Sequence, residues 1–215
     1  MQLDYNYLRN KYLKYFEGDK DVCDHILTDV IFGFNELYDI LLNKNITSVL
    51  EIGSGTGLLL NELKVHFPNI DFEGLDPNES GFHNYKNISK KIEKENNNFR
   101  INNSSVENYD SEKKYDLIFS VNVFEHVKNQ SEYIKKTFKL LNDNGTNIII
   151  SPNYDFPYEP HFVLPLIINK NLTYAIFKYF IKRHENKTKE YGLWRDLNLN
   201  GKKMVYLDYI RNNRS

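Results

Sequence analysis

Apolar positions in the first 45 residues recur with helical spacing. Leu8, Tyr12, Tyr15 and Phe16 fall at i, i+4, i+7 and i+8. After a break at Gly18, Val22, Ile26, Val30, Ile31, Phe34, Leu37, Ile40 and Leu41 make a second apolar face. Asp19 or Asp21 can cap that second helix. From residue 48 the pattern changes. Short apolar runs at about 48–53, 70–76, 99–103, 115–121 and 146–151 read as strands, with helices between them near 57–66, 80–95 and 129–141. Strands alternating with helices predict an α/β fold: a Rossmann-like, doubly wound, mostly parallel sheet with helices on both faces. Asp143-Asn144-Gly145 reads as the turn into the fifth strand.

Composition narrows the picture. The 28 basic and 29 acidic side chains leave a net charge of -1, so no overall field draws the chain to nucleic acid, and none is expected as a partner. The one cysteine, Cys23, excludes an intrachain disulfide and a multi-cysteine metal cluster, and no metal is expected. No stretch reads as a secretory signal or a membrane span, so the chain is expected to be cytoplasmic. The 16 tyrosines and 14 phenylalanines are mostly core filling.

The first strand carries the strongest chemical signal. Val49-Leu50-Glu51-Ile52 runs into Gly53-Ser54-Gly55-Thr56-Gly57, and helical periodicity resumes at Leu58. Strand, glycine turn and helix form the nucleotide-binding corner of a doubly wound sheet, where ligands sit at the carboxyl ends of the strands. A dinucleotide fingerprint would need Gly-x-Gly-x-x-Gly, with a pyrophosphate at the helix amino terminus. Here the third glycine comes one residue early, and Glu51 would stand close to a diphosphate. That carboxylate suits a ligand with a cationic amino-acid end instead. The second strand ends in Asp76-Pro77, where a carboxylate can accept both hydroxyls of a ribose; the bland alternative is a turn residue before Pro77.

Glu-x-Gly-x-Gly-x-Gly resembles the first motif of the class I S-adenosylmethionine-dependent methyltransferases. The segment Tyr115-Asp116-Leu117-Ile118-Phe119-Ser120-Val121-Asn122-Val123-Phe124-Glu125-His126-Val127 is similar to the fourth strand and following turn of the methyltransferase type 11/12 group. Leu140-Leu141 through Gly145 and Ile148-Ile149-Ile150-Ser151-Pro152-Asn153 extend the resemblance, which covers roughly residues 45 to 162. It implies S-adenosylmethionine as cofactor, with Glu51, Gly53, Ser54, Gly55 and Gly57 at its methionine end and Asp76 and Pro77 at its ribose. It also implies Ser105 and Val106 at the adenine, and Val121 and Asn122 at the cleft. Ser105 departs from the family, which usually has aspartate there.

The resemblance divides the single 1–215 domain into a helical amino-terminal lid over 1–45, a cofactor-binding core over 46–152, and an acceptor-side remainder over 153–215. Packing against the sheet is the alternative role for the first two helices. The remainder holds an apolar-basic helix over about 164–183, and strand character returns only at 204–210. The family closes its sheet with two further strands, so the carboxyl-terminal strands are expected to be shortened and the sheet edge exposed.

His126 and His161 are candidate bases and Tyr154 a candidate acceptor contact; His126 has an equal alternative in ordering the loop. The expected activity is methyl transfer to an oxygen of a small-molecule acceptor. The favoured class is a surface-polysaccharide sugar or a phosphorylated or phosphoramidate precursor, as in methyltransferases of bacterial surface-polysaccharide clusters. The alternatives are a non-enzymatic S-adenosylmethionine binder and a nicotinamide-dependent reductase. The oligomeric state is left between monomer and homodimer.

Overall fold

Five strands pair side by side, all parallel, in the order β3-β2-β1-β4-β5: β1 is Ser48–Ile52, β2 Asp71–Leu75, β3 Arg100–Asn102, β4 Tyr115–Val121 and β5 Leu141–Ile150. The computed structural model describes residues 3–43, 45–77, 83–96, 99–127 and 129–151, with short pieces at 158–159, 164–165, 179, 183, 197–199 and 202–204. The chain divides into two compact units, Met1–Ser151 and Pro152–Ser215. The sheet belongs to the first.

The helices are α1 (Tyr5–Tyr12), α2 (Lys20–Asn43), α3 (Leu58–His66), α4 (His83–Asn96) and α5 (Gln130–Leu140). Short 3-10 turns occupy Leu13–Phe16 and Phe124–His126. The alternation of side chains along each strand sorts the core into two layers. Val49, Leu117 and Phe119 face α1 to α4 and pack with Leu8, Phe34, Leu60 and Ile92. Leu50, Ile52 and Ile118 face the other way, towards Tyr133 and Leu140 of α5, and Tyr115 joins this layer across the register shift that separates it from Leu117. Helices therefore cover both faces, as the strand-helix alternation predicts.

The inner faces of the first two helices are core. Leu8, Tyr12, Leu27, Phe34 and Leu37 are buried. Asp19, one of the two candidate caps, accepts from the Val22 amide at 3.1 Å. Arg9 grips Asp24 with two nitrogens, at 2.6 and 3.1 Å, joining α1 to α2. The buried Glu62 carboxylate of α3 accepts from the Tyr12 hydroxyl and from Lys11 Nζ at 2.7 Å, while Asn61 donates to Tyr12 Oη at 2.5 Å. These buried contacts pack the inner faces of both helices against the sheet and α3.

The fifth strand differs from its expected bounds. It begins at Leu141, and its pairing with β4 jumps from Tyr115↔Leu141 to Leu117↔Thr146. Residues 142–145, which include the turn expected at 143–145, form a bulge within it. Asp116 explains why the chain is held there. Its carboxylate accepts from Asn142 Nδ2 at 2.6 Å, from the Thr47 amide and hydroxyl at 2.8 Å each, and from the Ser48 amide at 3.1 Å.

In the second unit, β6 (Tyr158–Glu159) pairs antiparallel with β7 (Leu164–Pro165), and β8 (Leu197–Leu199) with β9 (Lys202–Met204). Leu164–Pro165 is extended where a helix was expected to begin, because a proline disfavours helical backbone at the residue before it. Tyr179 and Arg183 are helical. Apart from Met204, the strand expected at 204–210 lies outside the described residues.

Asp116 generates a stability prediction. Partial burial pushes its carboxyl up, but the hydrogen bonds from Thr47, Asn142 and Ser48 outweigh this and hold it at about 2. A depressed carboxyl stabilises the fold above its unfolded value, and that contribution disappears as pH falls from about 4 towards about 2. Urea denaturation of Asp116→Ala should show a loss of about 2–3 kcal/mol at neutral pH. The gap to wild type should narrow across that acid window.

Candidate functional site

In a sheet ordered β3-β2-β1-β4-β5 the order of strand addition reverses between β1 and β4, and the cleft outside the carboxyl ends of those strands is where such sheets bind ligands. The residues singled out from the first two strands converge there. Gly53 and Ser54 donate their amides to the Leu75 carbonyl of β2, at 2.7 and 3.0 Å. Gly57 closes the turn by donating to the Ser54 carbonyl at 2.8 Å and then caps α3. Two of these glycines are required by shape as well as conformation. Gly53 has φ +73 and Gly57 has φ +75, and a Cβ at Gly53 would lie 2.3 Å from Val123, at Gly57 2.7 Å from Ile101.

Asp76 helps to build the loop. Its Oδ2 accepts from the Gly55 amide at 2.8 Å, and its own amide donates to the Asn102 carbonyl at 3.1 Å. The carboxylate proposed for a ribose thus also fixes the middle glycine. Pro77, exposed, follows it.

Glu51 carries the electrostatics of the cleft. It is 4 % exposed, and its Oε2 has no hydrogen-bond partner among the described residues. Burial pushes its carboxyl well above the ordinary range, and the neighbouring Asp76 carboxylate pushes it further. Two carboxylates, one of them dry, meet at the mouth of β1 and β2. A positively charged group entering the cleft would relieve both the desolvation and the repulsion.

On the other side, Val121 ends β4 and Asn122 follows in a left-handed conformation, φ +54. Asn122 donates its amide to the Ile150 carbonyl at 2.9 Å and its Nδ2 to Asp29 Oδ1 at 3.2 Å. Ser105 and Val106 lie beyond β3 in a turn closed by Asn108 and Tyr109 amides on their carbonyls, at 3.1 and 3.3 Å. The Val106 side chain is buried beside Leu75. His126 ends the 3-10 turn after β4, with its side chain 56 % exposed and Nε2 4.0 Å from Glu125 Oε1, whereas the Glu125 side chain is only 6 % exposed. Tyr154 and His161 lie outside the described residues. Among the described residues no group of three or more His, Cys, Asp or Glu could hold a metal, and no helix is long and apolar enough to cross a membrane.

Two residues at this cleft had no signal in the sequence. Asp29 interrupts the apolar face of α2 and reads there as an ordinary solvated position; its contact with Asn122 spans 93 residues of chain. Tyr85 of α4 lies 3.6 Å from where a Cβ of Gly55 would be. Burial raises the Tyr85 phenol, and the Asp29 carboxylate raises it further.

Comparison with known proteins gives the family and the fold. The family described as a methyltransferase domain matches residues 15–208. An uncharacterized protein of Mycobacterium tuberculosis is 30% identical over 152 residues, 70% of this chain and 51% of that protein. The malonyl-[acyl-carrier protein] O-methyltransferase 2 of Ilyobacter polytropus is 37% identical over 118 residues, 54% of this chain and 44% of its own length. The chain thus spans about half the length of the curated relatives it matches. In fold it is similar to the plantazolicin methyltransferase BpumL, solved with a pentazolic desmethylPZN analog and SAH, at TM-score 0.50 and 22% identity over 70% of this chain and 60% of that one.

The raised Glu51 carboxyl leads to a stability prediction. A carboxyl raised in the folded state stabilises the fold only at low pH, and the contribution is lost as pH rises from the ordinary value of 4.5 through the raised one. Glu51→Gln should therefore match wild type near pH 4 and become the more stable protein as pH rises, by roughly 1–3 kcal/mol. Calorimetric melting of ligand-free protein across that range checks it.

Proposed function

The chain belongs to the methyltransferase-domain family, and from that premise we propose that it transfers the methyl group of S-adenosylmethionine to an oxygen of a small-molecule acceptor. The observation that carries the reading is Glu51: a buried carboxylate, short of a hydrogen-bond partner, beside a second carboxylate at the turning point of the sheet. The residues fit the cofactor. Glu51 and the amides of the glycine loop suit a zwitterionic amino-acid end, and Asp76 suits a pair of ribose hydroxyls. Ser105 and Val106 stand in the turn where the base would lie.

The cofactor supplies a methyl carbon on a cationic sulfur that departs as a neutral thioether. The chain therefore has no leaving group to protonate. Its work is to hold the acceptor oxygen in line with the methyl carbon and to keep water out. In such a transfer the C–S bond would break as the O–C bond formed, its electron pair going to sulfur. An alcohol acceptor also loses a proton, and the imidazole of His126, exposed on the turn after β4, is our candidate to take it. An acceptor that is already anionic needs no base.

Oxygen is favoured because the relatives from Ilyobacter polytropus and Rickettsia akari are named as O-methyltransferases, acting on malonyl-[acyl-carrier protein] and in ubiquinone biosynthesis. Within that class, a surface-polysaccharide sugar or a phosphorylated or phosphoramidate precursor is the acceptor suggested by the resemblance of the segment after the fifth strand.

Calorimetry of Asp76→Ala should show cofactor binding weaker by roughly 1–3 kcal/mol. Unchanged affinity would remove Asp76 from the site. For His126→Ala, cofactor affinity should stay as in wild type while turnover of an alcohol acceptor falls by roughly 10²–10⁴. The readout is S-adenosylhomocysteine formed over a panel of sugar nucleotides, phosphorylated small molecules, quinone precursors and acyl thioesters. Binding without product on any of them would support the non-enzymatic alternative.

A further inference from the structure

Asp29 stands apart from every motif of the sequence, yet three observations bring it to the cleft. Its Oδ1 accepts from Asn122 Nδ2 at 3.2 Å, which fixes it on the left-handed residue that follows β4. One turn along α2, a Cβ on Gly33 would come within 2.8 Å of Leu59 and 3.3 Å of Val121, so the helix lies directly against the tip of β4 and the start of α3. Tyr85, under the field of Asp29, also faces Gly55. α2 thus presents a carboxylate to the gap between the turn after β4 and the glycine loop.

Glu51 lies on the same side of the sheet. Its neighbours Leu50 and Ile52 face α5, whereas Val49, which shares its face, packs with the helices on the α2 side. The buried Oε2 of Glu51, with no hydrogen-bond partner among the described residues, is the independent sign that a ligand completes this region. Asp76, Glu51 and Asp29 are then spread across the ends of β2, β1 and β4 in that order.

We propose that Asp29 is a third carboxylate of the cofactor cradle, placed at the sulfur end, where it distinguishes the cationic cofactor from its neutral thioether product. This rests on the methyltransferase reading above. Under that reading the ribose lies at Asp76, the amino-acid end at Glu51, and the acceptor near the turn that carries His126. The methyl-bearing sulfur must face that turn, and Asp29 is the carboxylate anchored on it. The consequence is asymmetric binding. Attraction to the sulfonium is present before transfer and gone after it, so the product loses one of the contacts that held the cofactor.

S-adenosylmethionine and S-adenosylhomocysteine differ by one methyl and one positive charge, which makes the pair a probe of this one residue. Titration calorimetry with both ligands on wild type, Asp29→Asn and Asp29→Ala is the test. Asp29→Asn retains an acceptor for Asn122 but removes the charge. It should weaken S-adenosylmethionine about five- to tenfold, the weight of one partly screened charge, and leave S-adenosylhomocysteine within about twofold. Asp29→Ala, which also releases Asn122, should add a smaller loss common to both ligands. Equal losses on the two ligands in Asp29→Asn, or no loss on either, overturn the proposal. Wild type binding neither ligand would instead overturn the methyltransferase reading, and this inference with it.

Discussion

Burying a carboxylate oxygen without giving it a hydrogen bond is among the more costly things a fold can do, and among the described residues this one leaves Glu51 Oε2 in that state. The cost is increased by Asp76, whose carboxylate is close enough to push the Glu51 carboxyl further up. Most of the cleft can be understood as the setting of that pair. Gly53 must be glycine because Val123 fills the space of its side chain. Asp76 is held by the Gly55 amide, and the loop is tied to β2 through the Leu75 carbonyl. A protein that keeps such an arrangement ready for a cationic ligand is less stable without it and more stable with it.

The rest of the fold makes that setting rigid. α2 buries its inner face against the sheet, and buried bonds from Tyr12 to Asn61 and Glu62 attach α1 to α3. At the opposite end of the strands Asp116 gathers the chain before β1 and the bulge of β5 onto β4. The polar groups at that lower end are satisfied by one another. At the upper end Glu51 Oε2 has no such partner among the described residues.

Much of this was legible in the sequence because it is local. The strand-to-helix alternation gives the parallel sheet, and the glycine spacing after Glu51 gives the loop, since both depend on neighbours in the chain. The bulge at 142–145 was not legible: Asp143-Asn144-Gly145 has the composition of a free turn, and only the cross-strand grip of Asp116 on Asn142 keeps it in the ladder. Nor was Asp29, whose meaning depends on a partner 93 residues away. His161 and Tyr154 stay as sequence expectations, lying outside the described residues.

The account's central claim is that the orphaned carboxylate of Glu51 is completed by the ammonium of an S-adenosyl amino acid. A crystal structure of the S-adenosylhomocysteine complex addresses it most directly. The account predicts the ligand amino group within about 3 Å of Glu51 Oε2. An amino group bound elsewhere in the cleft, with Glu51 still lacking a partner, would contradict it.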